Sequence, residues 1–166
     1  MTQWEERAAE ERALLNPSFC GVLLWHASAG YREMATASPL PLELSFLVLP
    51  LVLHRETREL LPKTVTTSLA VWLEENALTR ARFPERARAL VPFTREALLF
   101  GGAHGMLLVS PSGVVEGGDW KKKISAELKA ASDEVRFCAR RSEFVGRWFA
   151  AAGTPATVMA LCGVRP

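Results

Sequence analysis

The chain has 166 residues, 49% apolar and 23% charged, the make-up of one folded domain, or a core with an extension, and not of a disordered chain. Twenty Lys and Arg stand against eighteen Asp and Glu, a net of +2, too near neutrality to place the chain by charge alone among nucleic-acid binders or acidic tails. The halves differ, however: residues 1–75 hold ten acids and six bases, residues 76–166 eight acids and fourteen bases, so an anionic or acidic partner is expected for the second half.

Cys20, Cys138 and Cys162 are odd in number and widely spaced, which argues against a disulfide framework or a zinc knuckle. The longest apolar run, residues 44–53, is about half of the ~20 residues that cross a bilayer. The first residues, Met-Thr-Gln-Trp-Glu-Glu-Arg, are acidic where a signal or transit peptide is basic. A cytoplasmic protein of bacterial type, without membrane contact, is expected.

Residues 4–15 are rich in Glu, Arg, Ala and Leu and read as a helix ending at Asn16-Pro17, where the pre-proline restriction disfavours continuation. Pro17 then opens a second helix, buried on more than one side through Phe19, Val22, Leu23, Trp25 and His26, running to Gly30. Pro39 and Pro41 mark a break. Over residues 42–61, Pro50 either kinks one helix or begins a second after a short strand; the kinked helix, stopped by Pro62, is preferred. Residues 63–67 are short and β-branched and suit a small strand, with Thr66 or Thr67 capping a helix over 68–75 that ends at Asn76.

Residues 83–103 read as two consecutive helical pieces started by Pro84 and Pro92 and ended by Gly101, Gly102 and Gly105. The runs 106–109 and 114–116 flank Ser110-Pro111-Ser112-Gly113, a hairpin pattern. Helix, short strand, helix, turn, helix and hairpin over residues 42–117 is the order of a winged helix. The expected fold is therefore mainly α with a small β-hairpin (α+β). It divides into an N-terminal helical extension (1–38), a winged-helix-like core (39–118), and a long C-terminal helix and tail (119–166) packing on the core. That long helix follows from Ile124, Leu128, Ala131, Val135, Cys138, Ser142, Val145 and Phe149, a heptad seam. Gly153 ends it, Thr154 caps a short last helix, and Pro155 takes its first position.

Catalytic patterns are missing: there is no GxSxG, no GxxxxGK[ST] and no GxGxxG. Gly101-Gly102-Ala103-His104-Gly105 follows a helix instead of opening one, so it reads as a helix stop and not as a phosphate cradle. His26, His54 and His104 lie 28 and 50 residues apart, and Asp119 and Asp133 are the only aspartates, which leaves little material for metal sites or paired carboxylates. No enzyme activity, catalytic residue, cofactor or metal is expected.

Arg80, Arg82, Arg86, Arg88 and Arg95 fall in and before the helix that enters the major groove in a winged helix, opposed by Glu85 and Glu96. Lys121, Lys122 and Lys123 follow the hairpin. These eight cations are the candidates for contact with DNA or an acidic partner; a solvated helix face is the plainer alternative. Phe144, Trp148 and Phe149 make a wide apolar arc, for which packing against the N-terminal helices is preferred to a partner surface.

Asn16-Pro17-Ser18-Phe19-Cys20, PLPLELSFLVLPLVLHRETRELLP (39–62), TSLAVWLEEN (67–76), ARALVPFTREALLFGGAHGMLLV (87–109) and FVGRWFAAAGTPATVMALCGVRP (144–166) together resemble the middle component of bacterial three-component ABC systems. The resemblance extends over nearly the whole chain after residue 15, and it rests on order and extent because its motifs are apolar. It implies a non-enzymatic adaptor that binds an SMC-like ABC ATPase and connects it to an effector, in systems similar to the Lamassu anti-phage and anti-plasmid group. It carries no catalytic residue onto this chain. Beside it, Phe144, Arg147, Trp148 and Arg165, on the late helix and tail, are the candidates for protein contact, and double-stranded DNA within the complex is a further candidate partner. The rival from another class is a free-standing winged-helix DNA-binding transcription regulator.

Overall fold

The computed structural model describes residues 14–165, so the expected helix over 4–15 lies outside the described residues except for its end. From there eight helices and three strands are described, beginning with α1 (Pro17–Met34), β1 (Leu40–Pro41), α2 (Leu42–Val52) and α3 (Arg55–Leu60). They continue with α4 (Leu69–Glu75), α5 (Ala77–Ala103), β2 (Leu107–Val109), β3 (Val114–Gly117), α6 (Lys121–Ala130), α7 (Asp133–Ala151) and α8 (Pro155–Leu161). The fold is mainly helical with a small antiparallel sheet in the order β1-β3-β2, the α+β winged-helix-like arrangement expected.

α1 begins as its residues dictate. Pro17 needs no amide partner at the first helical position, and the Asn16 carboxamide accepts from the amide of Ser18 at 2.8 Å and from that of Phe19. Gly30 does not end this helix; it lies inside it, against the backbone of α7. A Cβ at Gly30 would overlap the Glu143 carbonyl, and one at Gly146 would overlap the Ala27 carbonyl, so the two helices touch main chain to main chain. Ser142 Oγ donates to the Leu23 carbonyl oxygen at 2.5 Å across the same contact. Around this pair the core gathers Leu23, Leu24 and Ala27 of α1, the run from Leu44 to Leu53, Trp72, Phe83, Leu107, Val115, and Phe144, Trp148 and Phe149 of α7.

Several expectations are corrected. Residues 42–61 form two helices, and the break falls not at Pro50, which is buried inside α2, but at Leu53-His54. His54 starts α3 by accepting the Thr57 amide on its ring Nδ1 at 3.3 Å, a cap that a helix read for its prolines does not reveal. Residues 63–67 form turns, not a strand. Their neighbourhood is held by side chains instead: Trp148 Nε1 donates to the Thr67 carbonyl at 2.7 Å, Trp72 Nε1 to that of Leu60 at 2.9 Å, and Arg141 Nη2 to that of Pro62 at 2.9 Å. The third strand is instead β1, where Leu40 pairs with Val115 and Pro41 with Val114; proline is tolerated there because β1 is an edge strand. The winged-helix order of helix, strand, helix, helix and hairpin is consequently met from Pro17 and not from Leu42, with α3 and α4 interposed before α5.

Residues 83–103 are not two pieces, because α5 runs unbroken for 27 residues with Pro84 and Pro92 inside it. Its buried stripe of Phe83, Ala87, Thr94, Ala97, Leu98 and Gly101 packs on α1 and α2, and this burial outweighs the two amide bonds that the prolines forgo. The heptad seam, conversely, is interrupted: α6 ends at Ala130 and α7 begins after Ser132, whose hydroxyl accepts the Val135 amide at 3.3 Å while Asp133 and Glu134 occupy the favourable first turn. Ser68, rather than Thr66 or Thr67, caps α4; Asn76 ends that helix, Thr154 caps α8 and Pro155 starts it.

Candidate functional site

The five arginines of the basic segment all lie on α5, but they do not share one face. Arg82 and Arg86 are four residues apart and lie on one flank; Arg88 and Arg95 are seven apart and lie on another. Arg80, Arg82, Arg88 and Arg95 are exposed. Arg86 is half-buried, and its guanidinium donates to Thr57 Oγ1 at 2.8 Å and to the Pro50 carbonyl oxygen at 3.4 Å. Burial first and the Arg82 charge second pull its pKa down. Arg86 therefore ties α5 to α2 and α3, while the other four are left for solvent or a partner.

The same cations act on His54. Burial, then the charges of Arg86, Arg58 and Arg82 push its pKa below the ordinary value, against the single opposing pull of Glu56. That keeps the ring neutral and able to accept the Thr57 amide. Arg58, only 1% exposed, is a second structural cation: it donates to the Val52 carbonyl oxygen at 2.6 Å and pairs with Glu134 at the start of α7.

Lys121, Lys122 and Lys123 form the first turn of α6, which has no acidic residue there. Three ammonium groups at the positive end of a helix oppose its dipole, so charge is concentrated here against local helix stability. Lys123 lies over the Trp120 ring at 4.0 Å. The lysines do not join the arginines in a single patch. Lys121 lines a cleft with Arg32 and Glu116, Lys123 lines another with Trp120 and Phe100, and Arg95 lines a third beside the hairpin.

On the late helix the structure separates the four candidates for protein contact. Trp148 is 1% exposed and Phe144 is buried beside it with ring centroids 5.6 Å apart; Trp148 also meets Trp72 edge to face at 5.4 Å. Both rings are core, so the expectation that they reach a partner gives way to the packing alternative. Arg147 bonds to Glu143 at 2.8 Å and to Glu33 at 3.1 Å, which ties α7 to α1. Glu143 in turn lies 3.4 Å from His26, and that neighbour, followed by Arg147, holds its carboxyl below the usual range against the opposing effect of burial. Arg165 is exposed.

All three cysteines are buried and free, and burial pushes the Cys20 and Cys162 thiols up to about 12, far from the thiolate that reacts or ligates. Among the described residues no three His, Cys, Asp or Glu converge as metal ligands, and no helix is long and apolar enough to cross a membrane.

One feature escaped the reading of the sequence. Leu99 on α5 and Leu108 and Val109 on β2 are 74%, 55% and 45% exposed and line, with Arg95, a groove of about 1070 Å³ between helix and hairpin. The apolar triplet Leu107-Leu108-Val109 on an edge strand is the pattern that points to it, since alternate residues of a strand face opposite sides and cannot all be interior.

Compared with known proteins, residues 4–166 match the model of one family, described as ABC-three component (ABC-3C) system Middle Component 3. No curated protein and no solved structure matches.

Proposed function

We propose, from the premise that this chain belongs to the ABC-three component system Middle Component 3 family, that it is a non-enzymatic adaptor of a three-component ABC defence system. It docks on an SMC-like ABC ATPase and links that ATPase to an effector that acts against phage or plasmid. The single observation that carries this reading is the family match over residues 4–166. The chemistry of the chain agrees with it: buried protonated thiols, a neutral structural histidine, and arginines either tying helices together or standing exposed. ATP turnover belongs to the partner.

As an adaptor the chain acts through surfaces whose affinity differs between ATPase states, because a partner shifts an equilibrium only by differential affinity. Arg80, Arg82, Arg88, Arg95, Lys121, Lys122 and Lys123 are the surface cations available for an acidic partner or DNA, and Arg165 for a protein. Their division over several faces supports contacts with more than one component better than a single DNA footprint, where phosphate-binding side chains line one face.

The test is affinity purification of this chain co-expressed with the proteins encoded beside it. A coiled-coil ABC ATPase should be recovered in fixed ratio and should stay bound as salt is raised past the range that strips phosphate contacts. A chain that ignores those neighbours and shifts duplex DNA at moderate salt is a free-standing regulator instead.

A further inference from the structure

Arg86 is anchored through one nitrogen only. Its Nη1 donates to Thr57 Oγ1 at 2.8 Å and to the Pro50 carbonyl oxygen at 3.4 Å. Because a guanidinium only donates, the Thr57 hydroxyl oxygen accepts this bond and sends its own proton to His54 Nδ1, 2.9 Å away. The imidazole proton is thereby left on Nε2, and the three side chains form one directed chain from α5 to the start of α3. Nε and Nη2 of Arg86 take no part in it. Among the described residues they have no acceptor, and they are not shut away from solvent. These two N–H groups lie along one side of the planar guanidinium and point the same way, the fork that grips both oxygens of a carboxylate.

The setting of that fork is cationic. Arg82, one turn earlier on the same flank of α5, is exposed, and among the described residues neither it nor Arg86 is ion-paired. Glu56 is the one acid whose charge acts on Arg86, against that of Arg82, and it bonds to neither. Arg58 is already matched by Glu134. Leu78 continues the row one turn further back and is 68% exposed. Half-burial makes the Arg86 charge costly to leave without a counter-ion. The Thr57 and Pro50 bonds also hold its long side chain in place before anything binds, so little rotamer freedom remains to be lost.

We infer that Arg86 and Arg82 form a docking site for a carboxylate side chain on an exposed segment of the ABC ATPase. The two carboxylate oxygens accept from Nε and Nη2 of Arg86, Arg82 adds a second positive charge, and an apolar neighbour on the segment covers Leu78. His54 and Thr57 are positioning residues that act through Arg86. A single preset fork suits one acidic side chain better than a nucleic-acid backbone, whose phosphates call for cations along a whole face, and the exposed cations here are spread over several. The identity of the partner rests on the adaptor reading.

The test uses the full chain co-purified with the ATPase. Arg82→Glu, at an exposed and unpaired position, should weaken ATPase binding about tenfold or more, by a factor that shrinks as salt rises, with the thermal midpoint unchanged. Arg86→Lys keeps the charge without the fork and should weaken binding comparably. Arg82→Lys supplies an amine for a carbodiimide, which joins amines to carboxylates in contact. The cross-linked peptide should couple position 82 to an Asp or Glu of the ATPase, and replacing that acid by Arg should restore the binding of Arg82→Glu.

An Arg82→Glu chain that binds the ATPase as the unaltered chain does, or a cross-link from position 82 only to Glu56 or to the effector, overturns the inference and leaves the adaptor reading standing. So does an Arg82→Glu chain that loses binding to duplex DNA and not to the ATPase. Failure of the unaltered chain to bind the ATPase at all overturns both.

Discussion

His54 can cap α3 only as a neutral ring, because the same Nδ1 that accepts the Thr57 amide would carry a proton in the imidazolium. Its folded pKa lies below the ordinary value, through burial and the neighbouring Arg86, Arg58 and Arg82 against Glu56. The sign follows: the unfolded chain takes up the proton first as pH falls. The cap's stabilisation is therefore complete above an unfolded value of about 6.5 and is lost as pH drops from there through the lower folded pKa. Urea titrations from pH 7.5 to 5 should show this loss, and His54→Asn, which keeps an acceptor without a proton to gain, should flatten it. A second residue-scale prediction concerns Gly146, whose added Cβ would overlap the Ala27 carbonyl. Gly146→Ala should cost on the order of 3 kcal/mol in chemical denaturation, although alanine is intrinsically the better helix former. Gly102→Ala, where a Cβ meets nothing, is the matched control and should not destabilise.

At the scale of elements, α7 is the hub on which the interposed α3–α4 segment hangs, through Glu134 to Arg58, Arg141 to Pro62 and Trp148 to Thr67. Trp148→Phe keeps a buried ring but leaves the Thr67 carbonyl without its indole donor. It should cost about 1–3 kcal/mol, and amide exchange over residues 61–68 should accelerate more than that of α1. This segment also shows where sequence reasoning fails. Thr64, Val65 and Thr66 have strand composition, but the carbonyls around them, those of Leu60, Pro62 and Thr67, accept from indole and guanidinium groups distant in sequence. Prolines misled in the same way: Pro84 and Pro92 suggested a helix boundary that burial on one side of α5 overrides. Capping chemistry was the more faithful guide. Asn16-Pro17, Asn76 and Thr154-Pro155 act as their residue types dictate, and Ser132-Asp133-Glu134 marks the break that the continuous heptad pattern concealed.

For the whole molecule, the winged-helix-like class was legible because the hairpin around Ser110-Pro111-Ser112-Gly113 and the helices before it are local in sequence. β1 was not, because two residues paired across the chain have no periodicity of their own. The candidate surfaces divide similarly. Exposure of Arg80, Arg82, Arg88 and Arg95 follows from their charge, but the engagement of Arg86 with Thr57 and of Arg147 with Glu33 depends on which helices meet, and an apolar arc such as Phe144-Trp148 reads alike whether it faces a core or a partner. What the molecule as a whole offers is an α1–α7 core in main-chain contact with exposed cations on several faces, which suits the proposed adaptor role. The measurement that tests this most directly is affinity purification of the effector from cells expressing all three components, with and without this chain. The ATPase should be recovered on the effector only when this chain is present, in fixed ratio with it; recovery of the ATPase in equal amount when this chain is left out would contradict the adaptor role.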